Sequence, residues 1–300
     1  MCTHIIAATQ NGGSCLRQTR VPKYIVGYGK SYALLSNAPN VSTAVIFVHG
    51  FGGNPTSTWT NFQGLVDEYS GKFPYWTNSD LFFFAYDSLH TPIRRNAALL
   101  GDFVEVAWYS KWMGAGSPDI SEKYQDLILV GHSEGGVVIR RLILDRYEAV
   151  RVKIKSANPD ADASSLRTAM KPALASDFIL ASHLRLFAPA CRGTNFSSLA
   201  GFLTSLSHVV SALTASFLVR NELLKDSPVL MSLQAGTESA HEEFGQVRSL
   251  YTRPIFGIPD QIVYSESYKE EELLWDEGYD HFGVCKPNYV HIRPLEFVSK

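Results

Sequence analysis

The sequence offers little with which to staple a fold covalently or through a metal. Its four cysteines, Cys2, Cys15, Cys191 and Cys285, stand far apart. They form neither a C-x-x-C pair nor a cysteine–histidine spacing that suits zinc, so they read as free thiols, with no metal site expected. A basic excess is also missing. Lys and Arg number 27 against 29 Asp and Glu, which leaves nothing to neutralise a phosphate backbone and disfavours a nucleic-acid partner. Residues Met1 to Ser14 have no basic start and no long apolar run, so a secretory signal is not visible. The expectation is a cytoplasmic protein, or a chain that begins after processing. Internal repeats and low-complexity segments are absent too, which argues against a solenoid or a disordered tail.

What remains is an ordinary globular composition, with 45 % hydrophobic and 19 % charged residues in 300, enough for a large core. Chains of this length can fold as one α/β unit, and a single domain over residues 1–300 is expected. Val45 to Val48, Leu81 to Tyr86 and Leu127 to Val130 are short, continuously apolar runs that end at Gly, His or Asp. Strands covered by helices on both faces have that look. Helix-compatible segments follow each of them, about Thr58 to Tyr69, Arg94 to Trp112 and Gly135 to Arg151. Two further strands, Leu184 to Ala188 and Ile255 to Ile258, continue the series. Tyr24 to Leu35 alternates as an antiparallel edge hairpin would, and Asn158 to Ser165 reads as a surface connection. Strand and helix in alternation predict a doubly wound, mostly parallel sheet. Between the last two strands lies more chain than one crossover needs, and a helical cap over about residues 195–250 is expected.

The chemistry is carried by a few short segments. The strand Leu127 to Val130 runs into Gly131-His132-Ser133-Glu134-Gly135-Gly136 and then a helix, which is G-x-S-x-G at a strand-to-helix turn and makes Ser133 the candidate nucleophile. A serine hydroxyl is weak on its own, and acyl transfer also needs donors for the developing oxyanion. His49-Gly50-Phe51-Gly52-Gly53-Asn54 follows the first buried strand at the same sheet edge, so the amides of Phe51 and Glu134 are the candidate oxyanion hole. The loop lacks the Lys and Ser/Thr that would complete a phosphate-binding loop. If the order Ser, acid, His applies, the base lies late in the chain. His281 sits in a glycine-flanked loop and is preferred to His291, which stands in an alternating, packing-like stretch; His49 and His132 read as parts of their turns. For the acid, Asp260 just past the Ile255 to Ile258 strand is placed to orient an imidazole. Glu266 and Glu238 are the alternatives, with Asp280 the least favoured because it would point away from its neighbour.

Together with Phe187-Ala188-Pro189-Ala190-Cys191-Arg192-Gly193-Thr194 and Asp280-His281-Phe282-Gly283-Val284-Cys285-Lys286-Pro287, these motifs resemble the α/β-hydrolase superfamily. The likeness runs from about Ala44 to Pro287 and is greatest to the lipase and serine-esterase branch that includes glycosylphosphatidylinositol-deacylase-like esterases. It implies an α/β-hydrolase fold and hydrolysis through a Ser-acid-His triad with no metal or organic cofactor. Glu134 departs from the uncharged residue that many relatives carry after the nucleophile, which bears on substrate charge more than on its backbone N–H.

Asn195 to Val219 contains no Asp, Glu, Lys or Arg and has the length of a membrane span. Its many serines and threonines make it too polar for an easy one. Leu199, Phe202, Leu203, Leu206, Val210, Leu213 and Phe217 recur at three and four, as one apolar stripe of a cap helix. Gly50, Leu199, Phe202 and Leu206 are therefore expected to touch a small-molecule or lipid ester with an acyl or aromatic part. Peripheral membrane contact through the cap is the second reading of this stretch. Three functions compete: a carboxylic ester hydrolase, a thioesterase or acyltransferase with the same triad, and a non-catalytic lipid- or protein-binding relative. Oligomeric state is not legible.

Overall fold

The computed structural model describes residues 20–299 except 26, 110–123, 196–220, 245–248, 250, 251, 267 and 270. Its centre is a sheet of eight strands, β1 (Val21–Tyr24), β2 (Tyr32–Leu35), β3 (Thr43–Val48), β4 (Ser79–Phe84), β5 (Asp126–His132), β6 (His183–Phe187), β7 (Ile255–Ile258) and β8 (Leu274–Glu277). They lie in the order β1-β2-β4-β3-β5-β6-β7-β8. The hairpin of β1 and β2, paired from Val21 opposite Leu35 to Tyr24 opposite Tyr32, joins β4 antiparallel, and β4 through β8 run parallel. This is the doubly wound α/β-hydrolase arrangement, and the expected edge hairpin is there.

Alternation along the strands decides which side chains meet which helices. Phe47 of β3 and Phe83 of β4 are opposite each other in register, and their rings stack at 4.8 Å. On the same face Phe47 meets Trp59 and Phe62, the latter on helix α1 (Phe62–Glu68). Phe187 of β6 meets Trp59 and Phe297, which belongs to helix α6 (Arg293–Ser299). One residue along β4, Phe84 points the other way, onto Phe103 of helix α2 (Ile93–Tyr109). That second face also receives helix α3 (Glu134–Ala157), which packs on α2, on α4 (Ala163–Ser176) and on α5 (Pro228–Phe244). Burying each of these phenylalanines contributes about 1.5–3 kcal/mol, so the aromatic runs in β3 and β4 both define the strands and bind the two layers to them.

Several expectations need correction. The helix expected over Thr58 to Tyr69 starts only at Phe62, because Asn54 accepts from the amides of Thr56 and Ser57 and holds the chain in a turn. Asn61 then adopts a left-handed φ of 71° just before the helix. The strand expected over Leu81 to Tyr86 begins at Ser79 and ends at Phe84, while that over Leu184 to Ala188 stops at Phe187, since Ala188 takes a φ of 42°. The surface connection at Asn158 to Ser165 is shorter than expected. Asp162 accepts from the Ser165 amide and caps α4, a helix that its polar start and internal Pro172 hid. Strand β8, with Asp276 and Glu277 among its four residues, was likewise missed. The apolar stripe at Leu199, Phe202 and Leu206 lies outside the described residues, as do Cys2 and Cys15. Cys191 and Cys285 are free and buried, and among the described residues no helix is long and apolar enough to cross a membrane.

A buried ion pair ties α3 to the segment leading into β8. The Arg140 and Glu271 side chains are 3 % and 5 % exposed and bonded to each other, with the Arg140 guanidinium 4.5 Å from the Tyr268 ring. Burial alone would lower the Arg140 pKa, but Glu271, with Cys191 and Tyr268 nearby, outweighs it and holds the guanidinium charged. Removing one partner of such a pair costs about 3–5 kcal/mol, whereas replacing both with apolar groups is often neutral. Glu271→Ala is expected to lose about that much stability in urea unfolding, and the double variant Arg140→Met/Glu271→Leu to recover most of it. Equal losses in the two would overturn this account.

Candidate active site

The site is assembled at the carboxyl ends of β3, β5 and β7. At the end of β5 the chain turns so sharply into α3 that Ser133 has φ 54° and ψ −121°, a conformation that costs a non-glycine residue on the order of 1–3 kcal/mol. Three backbone bonds hold it. The Ser133 amide donates to the Phe187 carbonyl at 3.0 Å, and the Ser133 carbonyl accepts from Gly136 and Ala190, each at 3.1 Å. Close approach does the rest: a Cβ on Gly135 would stand 2.2 Å from the Val48 carbonyl oxygen, so the helix start can abut the end of β3 only with glycine there.

The loop after β3 lies against the elbow. A Cβ on Gly50 would be 2.8 Å from the Ser133 Cβ, which places the Gly50-Phe51 backbone beside the serine. Glu134 is the first residue of α3, and amides in a helix's first turn lack intrahelical acceptors. The loop itself is fixed from β4. The Tyr86 hydroxyl donates to the His49 carbonyl at 2.7 Å, its ring stacks on the His49 imidazole at 4.3 Å, and the Gly52 amide donates to Ser88 Oγ at 2.9 Å. Tyr86 and Ser88 were not singled out from the sequence. Their position just past a buried strand, at the same sheet edge as Ser133, was the available signal. Burial lowers the His49 pKa to about 4, so its ring is neutral and its Nδ1–H faces the Gly50 carbonyl at 2.9 Å.

His281 and Asp260 come together from separate loops. His281 Nδ1 lies 3.0 Å from Asp260 Oδ2, and the two side chains are 3 % and 1 % exposed. A carboxylate can only accept, so Nδ1 carries the hydrogen of this bond and Nε2 is the ring nitrogen left unused by it. Asp260 Oδ1 accepts from the Ile262 and Val263 amides at 3.0 and 3.1 Å, which orients the carboxylate. The loop bearing His281 reaches β7 because Gly257 has no side chain; a Cβ there would be 2.1 Å from the Tyr279 carbonyl oxygen.

The other candidates are engaged elsewhere. Glu266 pairs with Lys225 at the surface, and Glu238 accepts from Gln234 and from the Lys269 amide. Asp280 Oδ1 accepts from the Phe282 and Gly283 amides. His291 stacks on Tyr279 at 3.5 Å and faces Asp276. His132, next to Ser133, lies 2.8 Å through Nε2 from the His281 carbonyl oxygen, which brings the His281 loop to the immediate neighbour of Ser133. Asn195, where the expected cap begins in sequence, lies beside the Asp260 loop, its amide donating to the Ile262 carbonyl at 2.7 Å. No group of His, Cys, Asp and Glu suited to a metal ion occurs among the described residues.

No family model matches the chain, and no curated protein matches it in sequence. Among solved structures, the chain is similar to the mature form of the Bacillus licheniformis lipase BlEst2, at TM-score 0.47 and 14 % identity over 88 % of this chain and 97 % of that one. Est1E from Butyrivibrio proteoclasticus gives TM-score 0.47 and 14 % identity, covering 94 % and 100 %. The monoacylglycerol lipase of Paleococcus ferrophilus gives 0.41 and 15 %, covering 85 % and 93 %. Identity is low throughout, and the reading of the site rests on its own geometry.

Glu134 is the one residue here whose chemistry runs against its surroundings. Its side chain is fully buried, and neither carboxyl oxygen has a hydrogen-bond partner among the described residues. Burial first, then Glu222 and Asp87, raises its pKa well above the ordinary value of 4.5. The folded protein thus keeps a proton that the unfolded chain gives up, and above about pH 4.5 this mismatch destabilises the fold increasingly as pH rises toward the folded value. Glu134→Gln removes the linkage. Its melting temperature relative to the parent is expected to rise steadily between pH 4.5 and 8 in calorimetric scans, and a constant difference would show that the carboxyl is not held neutral.

Proposed function

We propose that the protein is a serine hydrolase that cleaves carboxylic esters of apolar or acylated substrates, with Ser133, His281 and Asp260 as its triad. The observation that carries this reading is the buried His281–Asp260 pair, docked through the His281 carbonyl to the residue that precedes a strained serine. His281 Nε2 takes the proton as Ser133 Oγ attacks the ester carbonyl. The amides of Phe51 and Glu134 receive the tetrahedral oxyanion, and collapse expels the alcohol, which takes the proton back from His281. Water activated by the same imidazole then hydrolyses the acyl-enzyme. Every step uses protein groups and water alone.

The substrate class comes from the sequence. The apolar stripe of Leu199, Phe202 and Leu206 favours an acyl or aromatic group, whereas the resemblance to glycosylphosphatidylinositol-deacylase-like esterases fixes the substrate poorly, since one fold hosts many chemistries. A thioester substrate or an alcohol acceptor would use the same acyl-enzyme, so a panel of esters, thioesters and added alcohols identifies the physiological branch.

A fluorophosphonate probe is expected to form one adduct, at Ser133, and Ser133→Ala is expected to lose both labelling and ester turnover while melting normally. Asp260→Asn, which leaves the shape but removes the acceptor for the Nδ1 hydrogen, is expected to lower kcat by about 10⁴. Normal ester cleavage by Ser133→Ala would refute the nucleophile. A loss of less than tenfold in Asp260→Asn would remove the acid from its assigned role.

A further inference from the structure

His132 is 4 % exposed and does more than fill space. Its Nε2 lies 2.8 Å from the carbonyl oxygen of His281. A carbonyl oxygen can only accept, so the hydrogen sits on Nε2, and the imidazole donates to the main chain of the residue read as the base. The ring edge faces Trp59 at 6.4 Å between centroids, and the His281 ring lies 4.8 Å away on the other side. On its opposite edge, Nδ1 stands 3.2 Å from where a Cβ on Gly50 would be. One side chain therefore touches the backbone of the loop expected to hold the oxyanion, anchors the loop that carries the base, and directly precedes the nucleophile. These three segments come from the ends of β3, β5 and the stretch after β8, and no covalent neighbour fixes the third to the first two.

Resting on the hydrolase reading above, we infer that His132 is a positioning residue: its Nε2–H···O=C bond sets where His281 stands relative to Ser133 and the Gly50-Phe51 backbone. Burial holds the His132 pKa well below its ordinary value, and the nearby His281, Lys286 and His49 disfavour a second proton on it. The donor is accordingly an uncharged imidazole that contributes geometry, not charge, to the site. A bond of this kind acts on the reaction through alignment. Misplacing a reacting group by about 1 Å costs up to roughly 100-fold in rate with little effect on ground-state binding.

The discriminating pair of variants is His132→Gln and His132→Met. Glutamine places an N–H donor about where Nε2 lies, and methionine has nearly the same length and volume with no donor. On an ester that wild type hydrolyses, His132→Met is expected to lower kcat by roughly 10- to 100-fold with KM within about twofold, while His132→Gln recovers kcat to within a few-fold of wild type. Equal kcat in the two variants overturns the inference, because the donor would then be irrelevant. The tautomer is read independently by imidazole 15N resonances of the wild-type protein: hydrogen on Nε2 of His132 from pH 5 to 9 supports the strut, and hydrogen on Nδ1 overturns it. A wild type that takes up no fluorophosphonate and cleaves no ester fails the hydrolase reading itself, and the nitrogen resonances then decide the strut alone, as they do if His132→Met does not melt cooperatively.

Discussion

The strained backbone at Ser133 is the constraint from which the rest of the site follows. A residue at φ 54° and ψ −121° stays there only if its neighbours leave no alternative, and here they come from the ends of two other strands. Phe187 at the end of β6 accepts the Ser133 amide and, three residues on, Ala190 donates back to its carbonyl. The end of β3 lies so close that Gly135 cannot bear a side chain. The strain is thus supported by the buried core, where β3 is buried throughout and β5 from Leu127 onward.

Parallel strands bring their carboxyl ends to one edge, so segments distant in sequence deliver their first loop residues to the same place. His49 to Gly53, Tyr86 to Ser88, Ser133 and Asp260 all occupy such positions after β3, β4, β5 and β7. His281 does not follow this rule directly. It lies beyond β8, and its loop folds back over Gly257 to meet Asp260. His281 accordingly has anchors of its own, Asp260 on its ring and His132 on its main chain.

Legibility in the sequence followed the strength of local signals. Buried strands with continuous apolar runs, such as Val45 to Val48 and Ile255 to Ile258, could be placed because no other element reads that way, and the elbow could be placed because its glycines are required by contact. His281 could be named from chain order and its glycine flanks and Asp260 as its first-choice partner from its place past a strand, but Glu266 and Glu238 could not be set aside, since the 3.0 Å contact that does so is made across 21 residues through β8. That strand escaped notice because its sequence, Leu-Trp-Asp-Glu, is half acidic and gains its place only by pairing with β7. Helix α4 escaped for a related reason: its cap, Asp162, sits in a polar stretch that resembles a loop, and Pro172 stands inside the helix, where a sequence reading expects a break. The start of α1 was misplaced where Asn54 turns the chain by a side-chain bond that no periodicity reports.

Two buried carboxyls, Asp260 and Glu134, show how hydrogen bonding, rather than burial, sets their parts. The Asp260 side chain is 1 % exposed and accepts from two amides and an imidazole. Glu134 is equally buried and accepts from none among the described residues. A buried carboxylate with three donors can stand opposite an imidazole that becomes charged, because each state of the pair keeps its hydrogen bonds. One without donors keeps its proton instead. His49 and His132 are neutral for the same reason as Glu134, both pushed below the usual imidazole range by burial. Near Ser133, then, two neighbouring imidazoles and a carboxyl contribute no net charge of their own, and in the proposed reaction a charge developing on the attacked group would be met by backbone donors and one imidazole–carboxylate pair. An oxyanion forming there would depend on how those donors are aimed, which makes the positions of Gly50, Phe51 and His281 matter more than any change in overall charge.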